Sequence, residues 1–147
     1  MSLITNRKAS FNYEILDKYT AGVELFGYEV KSLKSGSGSL EGSYVTIRGN
    51  EAFIISMFIP PYQTNNTPKE YDPNRNRRLL LTKKEIVDLD KLEKTKGLTI
   101  VPISVYNKGT RIKIDVAVVR GKKKYDKRQT LKKRDAEREI RKEHKVR

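Results

Sequence analysis

The side chains able to do chemistry in this chain are few and strongly one-sided. His144 is the single histidine of 147 residues, cysteine is absent, and no HExxH, GxSxG or GxxxxGKS pattern occurs. Acid, base and nucleophile roles would therefore fall to carboxylates and lysines alone, so catalysis is not expected. Glu29, Asp72 and Asp88 could hold a metal only if folding brought them together, and neither metal nor cofactor is expected. GSGSLEGS at residues 36–43 has the glycines of a phosphate cradle. It lacks the order of strand, glycine loop, Lys and helix that makes backbone amides converge on phosphate, and it reads as a flexible loop. Arg75, Arg77 and Arg78 beside Asp72 and Pro73 make a stronger case. Guanidinium forks on a loop suit phosphates and exposed bases, with plain solubilising charge as the alternative. Eight Tyr and four Phe supply rings on which bases stack beside cations. Phe11, Phe53 and Phe58 lie in strand-like runs and read as packing residues, whereas Tyr125, between Lys124 and Asp126, reads as a stacker.

Charge points the same way. The 32 Lys and Arg against 18 Asp and Glu leave a net +14, which calls for a polyanionic partner. Residues 120–147 carry 14 basic and 5 acidic side chains, net +9, and leave +5 for the rest. A basic tail also binds membrane surfaces, but this one has only Leu131, Ala136, Ile140 and Val146 as apolar points and no face to lay on lipid. The lack of cysteine leans toward a reducing cytosol. No apolar run of signal or membrane-spanning length is found, so a cytoplasmic protein with no targeting segment is expected.

The elements that must position these groups are mostly strands. Phe11, Tyr13 and Ile15 alternate with Asn12 and Glu14, and Val23 and Leu25 follow a break at Gly22. Tyr44–Arg48 and Ala52–Ile59 are β-rich runs joined at Gly49 and Asn50, a hairpin signal. Leu98–Tyr106 alternates but contains Pro102, which demotes it toward an edge or a bulge. After Asn107, Lys108 and Gly109, the run 110–119 sets Ile112, Ile114, Val116 and Val118 against Arg111, Lys113 and Asp115. Thr82 and Glu85 form a capping box before Ile86, Leu89 and Leu92, with Gly97 as a left-handed stop, which predicts a helix. A shorter helix is predicted over Tyr28–Lys34, although Tyr28 and Val30 would also suit a strand. About six strands with few helices imply an antiparallel, OB-like barrel over residues 1–120. Residues 62–78 form a long polar loop, and residues 121–147 a basic tail, disordered when free and helical when bound.

NRKA at residues 6–9, YTAG at 19–22, GYEVKSLKSG at 27–36, DPNRNRRLLL at 72–81 and GKKKYDKRQTLKKRD at 121–135 occur together in this order. In that combination the chain resembles the small protein B (SmpB) family, the SsrA-binding proteins that bind transfer-messenger RNA (tmRNA). The resemblance implies an OB-like barrel that takes the place of an anticodon arm on the tRNA-like part of that RNA. It also implies a tail that enters the decoding centre and empty mRNA channel of a stalled ribosome during trans-translation. Implied partners are tmRNA, the small ribosomal subunit and elongation factor Tu through the alanylated RNA, with no membrane and a monomeric chain. By motif, Asn6, Leu80 and Lys113 match positions linked to RNA binding, and Glu29, Lys31 and Ser32 belong to the EVKS signature. A Leu inside LLL is also a natural core residue. Arg7, Lys8, Lys34, Arg75 and Arg77 complete the expected RNA contacts. The expected ribosomal contacts are Lys122, Lys123, Lys124, Tyr125, Asp126, Lys127, Arg128, Lys132, Lys133 and Arg134. Phe11 and Asn12 stand where the family usually has His and an acidic residue, Ser39 and Gly42 replace an expected Asn and Asp, and Tyr125 a frequent His. Thr20 replaces a commonly acidic residue, and a hydroxyl cannot make a carboxylate's charge-assisted hydrogen bond. A structural ribosomal protein and a general single-strand RNA-binding module are the alternatives.

Overall fold

The amphipathic run that is clearest in the sequence becomes strand β7 (Arg111–Gly121), which follows β6 (Leu98–Lys108) through a turn where Gly109 has φ +64°. A computed structural model describes residues 2–63 and 67–121. Of the expected tail, Gly121 is the last residue of β7, while residues 122–147, with the ten ribosomal contact residues and the expected change of order on binding, lie outside the described residues. β7 pairs with β6 along one edge and with β2 (Tyr13–Val23) along the other. From β2 the sheet continues to β5 (Arg77–Leu80), β4 (Glu51–Ile55) and β3 (Tyr44–Arg48), all antiparallel. Val45 of β3 then meets Ile100 of β6 in a single register pair, and the barrel is closed. Closure leaves few open edges for other chains to extend.

The expected six or so strands are seven: β1 (Ser2–Thr5), which pairs with β6 beyond the point where β3 ends, and β5 were not expected, while the runs expected on either side of a break at Gly22 share the single strand β2. Four residues are too short for a period of two to show in a sequence. Three helices are described: α1 (Arg7–Asn12), α2 (Gly27–Lys34) and α3 (Lys83–Glu93). The alternation that placed Phe11 and Asn12 in a strand is overturned, because both belong to α1. That helix seats Ala9 against Val101, Ala117 and Val119 on the outside of the barrel. β7 therefore buries both faces near its end, where alternation alone predicted one. The α3 capping box is formed: Thr82 Oγ1 accepts from the Glu85 N–H at 3.2 Å, and Glu85 Oε1 accepts from the Thr82 N–H at 3.0 Å. Leu89 of α3 enters the main core with Leu33 of α2, Ile54, Ile100, Ile114, Val116 and Val118. Glu93 Oε1, at the other end of α3, accepts from the Ile47 N–H of β3 at 3.1 Å. Gly97 has φ +85°, as a left-handed stop requires, and the bulge expected at Pro102 lies between Pro102 and Ser104.

The β-rich run after the hairpin breaks earlier than expected, at Ile55. Ser56 takes φ +63°, and this extra step shifts the inward phase from Ala52 and Ile54 to Met57 and Ile59. Phe58 is consequently turned outward and 38% exposed, so its assignment as a packing residue is corrected, while Phe53 is half-buried.

The segment 36–43 is held more firmly than a flexible loop. Ser39 and Phe58 form an isolated antiparallel bridge, with N–H to O distances of 2.9 and 3.0 Å. Gly38 has φ +133°, and a Cβ there would lie 3.1 Å from the Phe58 carbonyl oxygen and 3.2 Å from Leu33 Cδ2. Strain and crowding act together, so Gly38→Ala lowers stability by about 2 kcal/mol, read from the urea midpoint. Gly49→Ala, at φ +61° with nothing near the new Cβ, costs about half as much. Equal losses would show that the close approach to Phe58 contributes nothing.

Candidate nucleic-acid interface

The residues that sequence reasoning gathered into one RNA-binding set occupy three places. The first is buried. Glu29, on the first turn of α2, is fully enclosed, and its Oε1 accepts from the Phe26 N–H at 2.8 Å. Arg75 spans both carboxylate oxygens, with Nη2 2.5 Å from Oε1 and Nε 3.2 Å from Oε2. Arg77 Nε donates to Oε2 at 2.7 Å, and the Tyr71 hydroxyl donates to the same oxygen at 2.9 Å. The remaining Arg77 donors go to the carbonyls of Met57, Arg75 and Pro73 and to the Tyr71 hydroxyl, at 2.6 to 3.1 Å. Among the described residues no buried side-chain nitrogen or oxygen lacks a partner. Burial alone would raise the Glu29 pKa, but the Arg75 and Phe26 hydrogen bonds and the Arg77 charge outweigh it and hold the carboxyl below its ordinary value. Burial first, and then the hydrogen bond to Glu29, push the Tyr71 hydroxyl up to about 12.

Direct RNA contact by Glu29, Ser32 and Arg77 is corrected by this geometry. Glu29 and Arg77 are enclosed around each other, and the buried Ser32 hydroxyl donates to the Pro60 carbonyl at 2.7 Å. Arg75 is half-buried, with its fork spent on Glu29, so it cannot grip a phosphate as expected. From Tyr71 onward the polar run 62–78 is pinned by Tyr71, Pro73, Arg75 and Arg77, and it ends as strand β5 rather than as loop. Glu29 cannot serve a metal, and among the described residues no three His, Asp or Glu side chains gather as one would need.

The second place is a surface groove lined by Thr20, Arg78, Leu80, Thr82, Glu85 and Lys113. Leu80 is 46% exposed and packs on Gly22 of β2, so it is not the core residue that the LLL run also allowed. Lys113 stands on the adjoining strand, half-exposed. Thr20 lies directly opposite Asp115, and its hydroxyl donates to Asp115 Oδ1 at 3.0 Å, as does the Tyr106 hydroxyl. The carboxylate missing at Thr20 is thus present one strand away, and an acid at Thr20 would face it as a like charge. Arg78 links this groove to the buried cluster, since it reaches Glu24 Oε1 at 3.4 Å while Arg75 Nη2 lies 3.4 Å from the Glu24 carbonyl.

The third place is a groove between β1, the start of α1 and residues 38–41, with Asn6, Arg7 and Lys8 on one wall. Asn6 Nδ2 donates to the Pro102 carbonyl at 3.0 Å and its N–H to Ile103 at 2.8 Å, which ties α1 to the β6 bulge. Lys8 pairs with Glu41, both exposed. Lys31 and Lys34 are exposed on α2.

Buried arginine and carboxylate at the centre, and cations and apolar points outside, sit on a closed barrel whose relatives are identifiable. The family model described as SmpB protein matches residues 3–146. The chain belongs to the SmpB family. The SsrA-binding protein of Mycoplasmoides gallisepticum is 46% identical over 140 residues, spanning 95% of this chain and 97% of that one. That of Oleidesulfovibrio alaskensis is 50% identical over 138 residues, spanning 94% and 88%. A solved SmpB structure, described as "tmRNA-SmpB: a journey to the center of the bacterial ribosome", aligns at TM-score 0.69 and 38% identity over 82% of this chain and 85% of that chain.

Phe26, Tyr71 and Asp115, which the buried network and groove of this SmpB-family chain engage, were not among the site residues expected from sequence. Tyr71 is the one ring in residues 63–78, which marks an anchor inside a polar run. Asp115 required the β2–β7 register, which no spacing within one strand supplies.

Glu29→Gln keeps the shape and removes the charge that Arg77 needs, so it lowers stability by about 3 kcal/mol in urea unfolding. The folded carboxyl titrates below its unfolded value. Its contribution is complete above about pH 4.3 and is lost as pH falls through the folded value. The acid side of the stability profile should therefore be shallower in E29Q; an unchanged slope would remove Glu29 as its source.

Proposed function

We propose that this SmpB-family chain binds the tRNA-like part of transfer-messenger RNA and brings it to ribosomes stalled without a stop codon, for trans-translation. The observation that carries this reading is the family match along residues 3–146, with relatives described as SsrA-binding proteins. The solved neighbour described with tmRNA and the bacterial ribosome supports the same partners. Asn6, Arg7, Lys8, Lys31, Lys34, Leu80 and Lys113 are the proposed RNA-facing residues, and Glu29, Ser32, Arg75 and Arg77 act by holding α2, β5 and residues 71–76 in place. Affinity comes chiefly from lysine and arginine on phosphate, and specificity from RNA shape. The stretch from Lys122 to Arg128 and Lys132 to Arg134 is assigned to the decoding centre and mRNA channel. Elongation factor Tu enters through the alanylated RNA, and the protein works as a cytoplasmic monomer without catalysing a reaction. Among the described residues no helix is long and apolar enough to cross a membrane.

Competition binding tests the reading directly. Labelled transfer-messenger RNA at physiological salt is displaced by unlabelled copies of itself, but poorly by tRNA or by a single-stranded homopolymer. Equal displacement by all three would make the chain a general polyanion binder.

Truncation separates the two halves of the proposal. A chain ending at Gly121 should keep the barrel's cooperative unfolding and bind the tRNA-like RNA within about tenfold, yet tag no stalled nascent chains in a reconstituted translation assay. Full tagging by the truncated chain would remove the ribosomal role of residues 122–147.

A further inference from the structure

Four side chains on the α2 side of the barrel form a continuous row that the contacts above leave unexplained. The Tyr71 ring meets Tyr28 edge-on, with centroids 5.0 Å apart and planes at 84°. Tyr28 lies 5.5 Å from Phe26 at a tilt of 37°. The Arg75 guanidinium carbon stands 4.0 Å from the centre of the Phe26 ring. The row thus runs outward from the enclosed Glu29 network to Phe26, which is 48% exposed.

We propose that Phe26, backed by Arg75, is a stacking platform for one unpaired base of the bound RNA. The proposal rests on the RNA-binding reading and deepens it by naming the chemical group recognised at this point. Arg75 Nε and Nη2 are engaged by Glu29, and its Nη groups also reach the carbonyls of Asn76 and Glu24, both at 3.4 Å. Four of its five N–H donors are engaged, so its cation is fixed against the ring instead of reaching for phosphate. A fixed cation on a phenyl ring draws down the π density that would attract a second cation, and leaves a flat surface suited to an electron-rich heterocycle. Aromatic rings beside cations take single-stranded bases in this way, with little sequence preference. The platform needs no ordering on binding, because Arg75 is already held by an enclosed carboxylate and Phe26 by its backbone bond to Glu29. Lys31 and Lys34, exposed on the same helix, supply charge for the flanking phosphates.

The test measures affinity of the full chain for the tRNA-like RNA at several salt concentrations, using Phe26→Leu, Phe26→Ala and Phe26→Trp. Loss of the ring in F26L and F26A should weaken binding about tenfold, while F26W binds like the parent. The slope of log Kd against log salt should not change, because a stacked base neutralises no phosphate. The indole fluorescence of F26W, in a chain with no other Trp, should be quenched as RNA is added. F26L keeps the apolar bulk, and its urea midpoint is read alongside, so a folding defect is distinguished from a lost contact. Binding by F26L within twofold of the parent, a slope shallower by about one unit, or unquenched F26W would each overturn the platform. Failure of the parent chain itself to prefer this RNA would instead overturn the functional reading, and the platform with it.

Discussion

One enclosed carboxylate joins two parts of this chain that lie more than 40 residues apart. Glu29 sits on α2, Arg77 opens β5, and Arg75 and Tyr71 belong to the connection that leads into it. Two charges taken from water lose several kcal/mol of hydration each, and their mutual attraction repays this only with good geometry and complete hydrogen bonding. Here every buried side-chain nitrogen and oxygen among the described residues has a partner. Such an arrangement adds little net stability over an apolar core, but it penalises misplacement heavily. It therefore fixes where a long polar connection runs, a task for which apolar contacts are poorly suited because they tolerate sliding.

The same arrangement explains where sequence reasoning succeeded and where it failed. Strand β7, the β3–β4 hairpin and the capped α3 were legible because their signals are local: a period of two, a left-handed turn residue, a capping box. β1 and α1 were not, since four and six residues carry too little periodicity to separate strand from helix. The outward turn of Phe58 was hidden because it follows from one backbone angle at Ser56.

Composition misled most at the arginines. Three Arg within four residues next to Asp and Pro read as a phosphate-binding loop, and nothing in that stretch says that a carboxylate 48 residues earlier will enclose one of them. Leu80 shows the converse, an apolar residue that the strand register turns toward solvent. Lys8, Lys31 and Lys34 are exposed and Lys113 is half-exposed, as long charged side chains usually are.

The barrel's closure is uneven, and this has a mechanical meaning. β7 grips its neighbours over most of its length, but β3 meets β6 at Val45 and Ile100 alone. Backbone pairing is therefore shortest at the β3–β6 joint, with the β2–β5 joint only one pair longer. α3 lies across the β3–β6 joint and contacts both strands, and its Glu93 latches onto the Ile47 amide. The helix therefore works as a clasp: the least continuous seam of the sheet is held by an element that contributes no strand to it.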